Sequence, residues 1–181
     1  NNCPQLKEYP ISLFFDRSKE AFNDKKRLFN DINEMTIVTP SFWLKNLVSE
    51  SFLQNYSVKV INTGIDLDLF KPSKNNFKEE RSIQDKFMIL GVANFWGRRK
   101  GFNHFIELSK NLRSDEVIVI VGVTNEQIQE LPENIIGIKR TNSIEELAEI
   151  YSAADVFINP TLEDTFPTTN LEAMACGTPI I

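Results

Sequence analysis

Along this chain, short apolar runs rich in β-branched residues alternate with stretches whose apolar residues recur at helical spacing, which is the pattern of β-α-β units. Residues 16 to 34, DRSKEAFNDKKRLFNDINE, set Phe22, Leu28, Phe29 and Ile32 on roughly one helical face with charge elsewhere. The run MTIVTPS then predicts a strand closed by Pro40, and Ser41 is placed to cap a helix through about Leu53, with Trp43, Leu44, Leu47 and Val48 facing inward. A second strand, SVKVINTG, stops at Gly64. Residues 71 to 86, KPSKNNFKEERSIQDK, combine Pro, paired Asn and dense charge without apolar periodicity, and this composition predicts a linker between two domains.

The alternation restarts with KFMILGVAN, followed by the basic turn FWGRRKG and a helix from about Phe102 to Leu112 with Phe102, Phe105, Ile106 and Ser109 at helical spacing. EVIVIVGV is continuously apolar, as a central parallel strand covered on both faces should be. IIGIKR is a shorter strand, and Ser143 with Glu146 has the spacing of a capping box for a helix carrying Leu147, Ile150, Tyr151 and Ala154. DVFINP is another buried strand, so the second half reads as a doubly wound α/β sheet.

Composition narrows the class. With 181 residues, 41% hydrophobic and 25% charged, the chain is expected to be globular, as one large domain or parts of two. A net charge of −5 argues against a nucleic-acid partner. Two distant cysteines, Cys3 and Cys176, and one histidine, His104, match neither a disulfide framework nor a Cys/His metal site, and point to a reducing compartment, with the protein expected to be cytoplasmic or this piece to lack its address. No apolar run approaches the ~20 residues needed to span a bilayer. A start without Met and an apolar close at GTPII predict an excerpt of a longer protein, which by itself is expected to be poorly soluble and inactive.

In doubly wound sheets ligands bind beyond the carboxyl ends of the strands, so the loops after VAN, IVG, IKR and INP are the candidates for chemistry. Arg98, Arg99 and Lys100 stand after the first of these strands, with Gly101 at the start of a helix. Cations beside free helix N–H groups suit a phosphate or diphosphate, although RRK alone also describes a solvated turn. The loop after INP carries Glu163 and Asp164 and leads into a helix where Thr169 and Glu172 have capping-box spacing. A glutamate there could cap the helix, or accept two hydrogen bonds from a vicinal diol such as a ribose. Gly177 and Pro179 fit a helix C-cap and the entry to a further strand opened by Ile180 and Ile181. Asp66 and Asp68 have a D-x-D spacing that hard oxygen ligands for Mg or Mn would use.

The stretch LAEIYSAADVFINPTL followed by EDTFPTTNLEAMACGTPII resembles the donor-site region of the retaining GT-B glycosyltransferases grouped as family 4, in which an acidic residue is followed, after seven others, by the Glu that opens EAMACGTPVI; here the pair is Asp164 and Glu172. TIVTPSFWL, VINTGIDLDLFKP and ILGVANFWGRRKGF also resemble that family, in its order, and CPQLKEYP is similar to a subgroup associated with bacterial surface polysaccharide synthesis. The resemblance implies two Rossmann-like sheets, both incomplete: residues 1 to 70 as the tail of an acceptor-side domain, 71 to 86 as linker, and 87 to 181 as the first half of a nucleotide-sugar domain. It implies that Lys100 and a neighbouring Arg neutralise the donor diphosphate, that Gly101 admits it, that Glu172 holds the ribose, and that Asp164, with backbone N–H groups around Thr165 and Phe166, faces the donor sugar. Gly64 would be a turn at the cleft. Many members carry an Arg where this chain has Asn94, so Arg98 or Arg99 would substitute; the first acid is usually Glu, so Glu163 or Asp164 would reach the sugar.

The activity so implied is transfer of a sugar from a nucleotide-sugar donor to a glycan or lipid-linked acceptor, with no cofactor and no metal, Asp66 and Asp68 being read as part of a turn. The expected setting is the cytoplasm, up to peripheral association of the full-length protein with the inner face of the membrane. The competing readings are a non-catalytic nucleotide-binding α/β module and a sugar-nucleotide epimerase of the same fold. No G-x-G-x-x-G follows any strand, which counts against a dinucleotide enzyme.

Overall fold

The computed structural model describes residues 16–181, so the CPQLKEYP stretch and Cys3 lie outside the described residues. The chain divides between Asn62 and Thr63 into two compact units.

In the first unit, helix α1 (Ser18–Asn30), strand β1 (Thr36–Thr39), helix α2 (Phe42–Ser49) and strand β2 (Ser57–Val60) follow the predicted order, with β1 and β2 parallel in the register Thr36 to Ser57 through Thr39 to Val60. Ser41 caps α2 as its position suggests, its hydroxyl accepting from the Leu44 N–H at 3.2 Å. The Tyr56 hydroxyl donates to the carbonyls of Phe29 and Ile32, fastening the end of α1 to the turn before β2. The predicted inward faces are covered only in part. Phe22, Leu28 and Phe29 on α1, Ile32 just beyond its end, and Trp43 and Leu47 on α2 are exposed, and Thr39 is the buried residue among those described in this unit. The two strands and two helices described there enclose too little volume to bury four apolar side chains per helix.

The second unit holds a parallel sheet in the order β5-β4-β3-β6, from β3 (Phe87–Val92), β4 (Glu116–Val121), β5 (Ile135–Ile138) and β6 (Val156–Phe157). Ile180 adds a parallel bridge to Phe157 on the far side of β6. Helices α4 (Phe102–Ser109), α5 (Asn125–Gln129), α6 (Ile144–Ala153) and α7 (Thr168–Ala175) connect the strands. Period-two alternation sends Met88, Leu90, Val117, Val119 and Val121 to one face of the sheet and Ile89, Ile118 and Ile120 to the other. Tyr151, Ile150 and Phe157 pack in the first core, and Trp96, Phe105 and Val123 in the second. Burial on both faces explains why these strands read as continuous apolar runs.

Three details depart from the sequence reading. Residues 71 to 86 do not behave as a free linker. Phe70, Phe77 and Ile83 join the first core, a short helix α3 (Phe77–Glu80) forms, the Ser152 hydroxyl accepts from the Ser73 N–H at 3.2 Å, and the Asn75 amide donates to the Glu149 carbonyl at 3.1 Å. A few apolar anchors suffice to dock the segment on α6. Lys78 completes it with a 2.6 Å ion pair to Asp155, whose carboxylate also accepts from the Met88 N–H. Helix α5 has no counterpart in the periodicity because five residues are too few to show one, yet Thr124 and Gln127 form a reciprocal capping box. At α6 the Ser143 hydroxyl caps the Glu146 N–H, but the Glu146 carboxylate returns to the Asn142 N–H at 2.6 Å, one residue earlier than a capping box requires.

Phe157 is fully buried, sits edge-on to Tyr151 with centroids 5.6 Å apart, and lies in the strand between β3 and the Ile180 bridge. Phe157→Ala should therefore lower the stability of the full-length protein by about 3–5 kcal/mol, read as a lower denaturation midpoint at unchanged m-value.

Candidate functional site

Successive strands β3, β4 and β5 build outward on one side, whereas β6 is added on the other side of β3. The helices that follow β3 and β6 accordingly pack on opposite faces of the sheet, α4 in the second core and α7 in the first, and this reversal of strand order is where doubly wound sheets place a ligand.

The loop after β3 is anchored from below. Trp96 is buried, its indole N–H donates to the Val121 carbonyl at 2.8 Å, its ring stands edge-on to Phe105, and its own carbonyl accepts from the Gln127 amide at 2.9 Å. Trp96 is thus a packing residue. The chain then makes a single 3-10 turn, Arg98–Lys100, and passes through Gly101 at φ +78° into α4. A Cβ at Gly101 would stand 2.6 Å from the Pro160 carbonyl oxygen, so both the left-handed backbone and the close approach of the loop after β6 call for glycine. The Leu162 N–H donates to the Arg99 carbonyl at 3.0 Å, joining the two loops again.

Between them lies an ion pair. Lys100 Nζ is 2.7 Å from Asp164 Oδ2, with side-chain exposures of 30% and 25%. The other Asp164 oxygen accepts from the Phe166 N–H at 3.2 Å, which orients the carboxylate. Partial burial pushes the Asp164 carboxyl up, but the hydrogen bonds from Lys100 and from the Phe166 and Thr165 backbone outweigh it and hold the group below the ordinary carboxylate range. Arg98, Arg99, Glu163 and Thr165 are exposed around this pair.

Glu172 stands apart from the pair. Helix α7 begins at Thr168 behind Pro167 with no side-chain cap, so Thr169 and Glu172 do not form the capping box that their spacing suggested. Starting the helix at Thr168 carries Glu172 past the first turn, where its carboxylate accepts from the buried Tyr151 hydroxyl at 2.9 Å. Burial and the adjacent Glu172 charge hold the Tyr151 phenol far above its usual range, so it remains a donor. Sequence periodicity placed Tyr151 in the core and missed this bond. It also missed the 2.7 Å bond from the Asn159 side-chain amide to Asn170 Oδ1, which ties the loop after β6 to α7. Gly177 and Thr178 donate to the carbonyls of Met174 and Ala173 and close α7 as predicted.

The remaining candidates are less engaged. Gly64 lies in open coil, with no atom within 4 Å of where a Cβ would sit. Asp66 accepts from the N–H groups of Asp68 and Leu69 at 2.8 and 3.3 Å, which makes it a turn cap. His104 is exposed on α4. Among the described residues no group of three or more His, Cys, Asp or Glu is placed to hold a metal ion, and no helix is long and apolar enough to cross a membrane.

The chain belongs to the glycosyl transferases group 1, whose family model matches residues 86–181. It is 26% identical over 173 residues to the D-inositol 3-phosphate glycosyltransferase of Corynebacterium jeikeium, covering 83% of this chain and 41% of that protein. It is 28% identical over 150 residues to the UDP-Gal:alpha-D-GlcNAc-diphosphoundecaprenol alpha-1,3-galactosyltransferase of Escherichia coli, covering 74% and 38%. The chain thus spans about two-fifths of the length of these relatives. Among solved structures, sucrose-phosphate synthase from Thermosynechococcus elongatus superposes with a TM-score of 0.74 at 20% identity, over 93% of this chain and 45% of that one. That likeness identifies the fold as GT-B, in agreement with the parallel α/β architecture.

The depressed Asp164 carboxyl gives the ion pair a definite pH signature. A group whose pKa is lower in the folded state contributes stability that is present above its unfolded pKa, about 3.9, and lost as pH falls through the folded value. The stability difference between the wild-type protein and Asp164→Asn should be roughly 1 kcal/mol or less, constant from pH 5 to 8, should begin to fall only as pH drops below about 4, and should be gone once pH lies below the depressed folded value, as read from paired denaturation curves.

Proposed function

We propose that the chain supplies the donor side of a retaining glycosyltransferase that moves a sugar from a nucleotide-sugar to a glycan or lipid-linked acceptor in bacterial surface polysaccharide synthesis. Residues 1 to about 70 would end the acceptor-side domain, and 87 to 181 would open the nucleotide-sugar domain. The observation that carries this reading is the Lys100–Asp164 pair at the point where strand order reverses, beside the glycine that opens α4.

Chemically, the arrangement suits a diphosphate leaving group. As the bond between the anomeric carbon and the phosphate breaks, negative charge grows on the phosphate oxygens, and a cation fixed in advance stabilises that charge more than it stabilises the ground state. Lys100 is that cation. A pair about a quarter to a third exposed is weakly held, and a diphosphate offers charge-assisted bonds to several oxygens at once, so the donor displaces Asp164 from Lys100. Asp164, still oriented by the Phe166 N–H, is then free to face the donor sugar. Arg98 or Arg99 on the same 3-10 turn supplies the second cation, and Glu172 receives the ribose hydroxyls. With protein cations meeting the leaving-group charge, the enzyme needs no metal and no cofactor. A lipid-linked acceptor would place it at the cytoplasmic face of the membrane, a setting in keeping with the diphosphoundecaprenol substrate named for the Escherichia coli relative.

In the full-length protein, Lys100→Ala should lower turnover by roughly 100-fold or more while leaving the melting temperature nearly unchanged. Unchanged turnover would remove Lys100 from the diphosphate site. Excess EDTA should leave activity intact; strong inhibition reversed by Mn would instead return Asp66 and Asp68 to consideration as ligands.

A further inference from the structure

The Glu172 carboxylate is held by a side chain that itself has little freedom to move. Tyr151 is fully buried, its ring edge-on to Phe70 and Phe157 at 6.2 and 5.6 Å between centroids, and its backbone carbonyl accepts from the Thr178 hydroxyl at 2.6 Å. Two aromatic neighbours and the close of α7 thus fix where its hydroxyl points, and it points at Glu172 Oε2. Glu172 is only partly buried. An ionised carboxylate offers about four acceptor directions, and the tyrosine takes one, which leaves Oε1 and the rest of Oε2 for a ligand. A free glutamate would lose rotamer entropy on binding; one already tethered by a buried donor has lost much of it in folding.

We infer that Tyr151 is a positioning residue for donor binding: its buried hydroxyl fixes the Glu172 carboxylate in the orientation that receives the vicinal diol of the nucleotide ribose. The inference rests on the role proposed for Glu172 above. A hydroxyl that only satisfied its own burial would affect stability and nothing else, whereas a positioning hydroxyl affects discrimination between a ribose and a sugar lacking the diol.

The test is calorimetric titration of the full-length protein with UDP and GDP and with their 2′,3′-dideoxy counterparts, in the wild type, Tyr151→Phe and Glu172→Gln. The wild type should prefer the ribonucleotide of whichever base it binds, and Glu172→Gln should erase that preference. Tyr151→Phe keeps the ring packing and removes one donor. It should reduce the preference by roughly five- to tenfold while leaving the dideoxy affinity within about twofold. Should the phenylalanine variant fail to fold, a crystal structure of the wild type with the bound diphosphate reads the same contact: the Tyr151 hydroxyl should still donate to the Glu172 carboxylate that receives the ribose diol, and a diol on Glu172 with that contact broken would overturn the inference. A Tyr151 variant with the wild-type preference, beside a Glu172→Gln variant that has lost it, would overturn the inference and leave the role of Glu172 standing. A wild type without preference, a preference that survives Glu172→Gln, or no binding of either diphosphate would overturn the role of Glu172 and the inference with it.

Discussion

Everything at the candidate site depends on β3 being paired on both sides, with β4 along one edge and β6 along the other. Because the chain builds outward through β4 and β5 before returning to β6, the loops after β3 and β6 leave neighbouring strands and lead to helices on opposite faces of the sheet. The ladder fixes where these loops begin, and three local contacts fix where they go: Gly101 against Pro160, the Leu162 N–H on the Arg99 carbonyl, and Lys100 on Asp164. A cation and a carboxylate 64 positions apart in sequence thereby meet at 2.7 Å on the open edge of a packed sheet. The supporting part is buried and apolar, and the ion pair on it is charged and about a quarter to a third exposed, which is the division a ligand site needs.

The strands of the second unit were legible because two-sided burial writes itself as unbroken runs such as EVIVIV, and the helices α4 and α6 because one apolar stripe is enough to orient them. What stayed hidden has equally physical causes. Residues 71 to 86 read as linker because their buried contacts rest on Phe77 and Ile83 within a charged stretch, and composition averages such anchors away. The polar face of α5 concealed a helix that only its Thr124–Gln127 cap announces. In the first unit, periodicity found α1 and α2 but overstated how much of each is covered, since periodicity reports which face is apolar and not whether anything packs on it.

At the site itself, the motif singled out Lys100, Asp164 and Glu172, and the structure joins the first two. Of the two readings open for the third, helix cap or diol acceptor, the cap does not form, because the helix starts at Thr168 behind Pro167, and the carboxylate instead meets Tyr151, 21 positions away. Spacing rules cannot see such a pair, because nothing in a core tyrosine's sequence position tells which way its hydroxyl points. The two acids consequently differ in kind. Asp164 is held by a partner that a polyanion can take from it, and Glu172 by one that a ligand has no reason to displace.

We propose the edge between β3 and β6 as a diphosphate site in which Lys100 exchanges Asp164 for phosphate. A crystal structure of the full-length protein with a bound nucleoside diphosphate tests it most directly. Phosphate oxygens should lie within hydrogen-bond distance of Lys100 Nζ, with the Lys100–Asp164 contact opened beyond ~4 Å and the ribose hydroxyls on Glu172. A nucleotide seated at another strand end, or one bound with the Lys100–Asp164 contact intact, would contradict it.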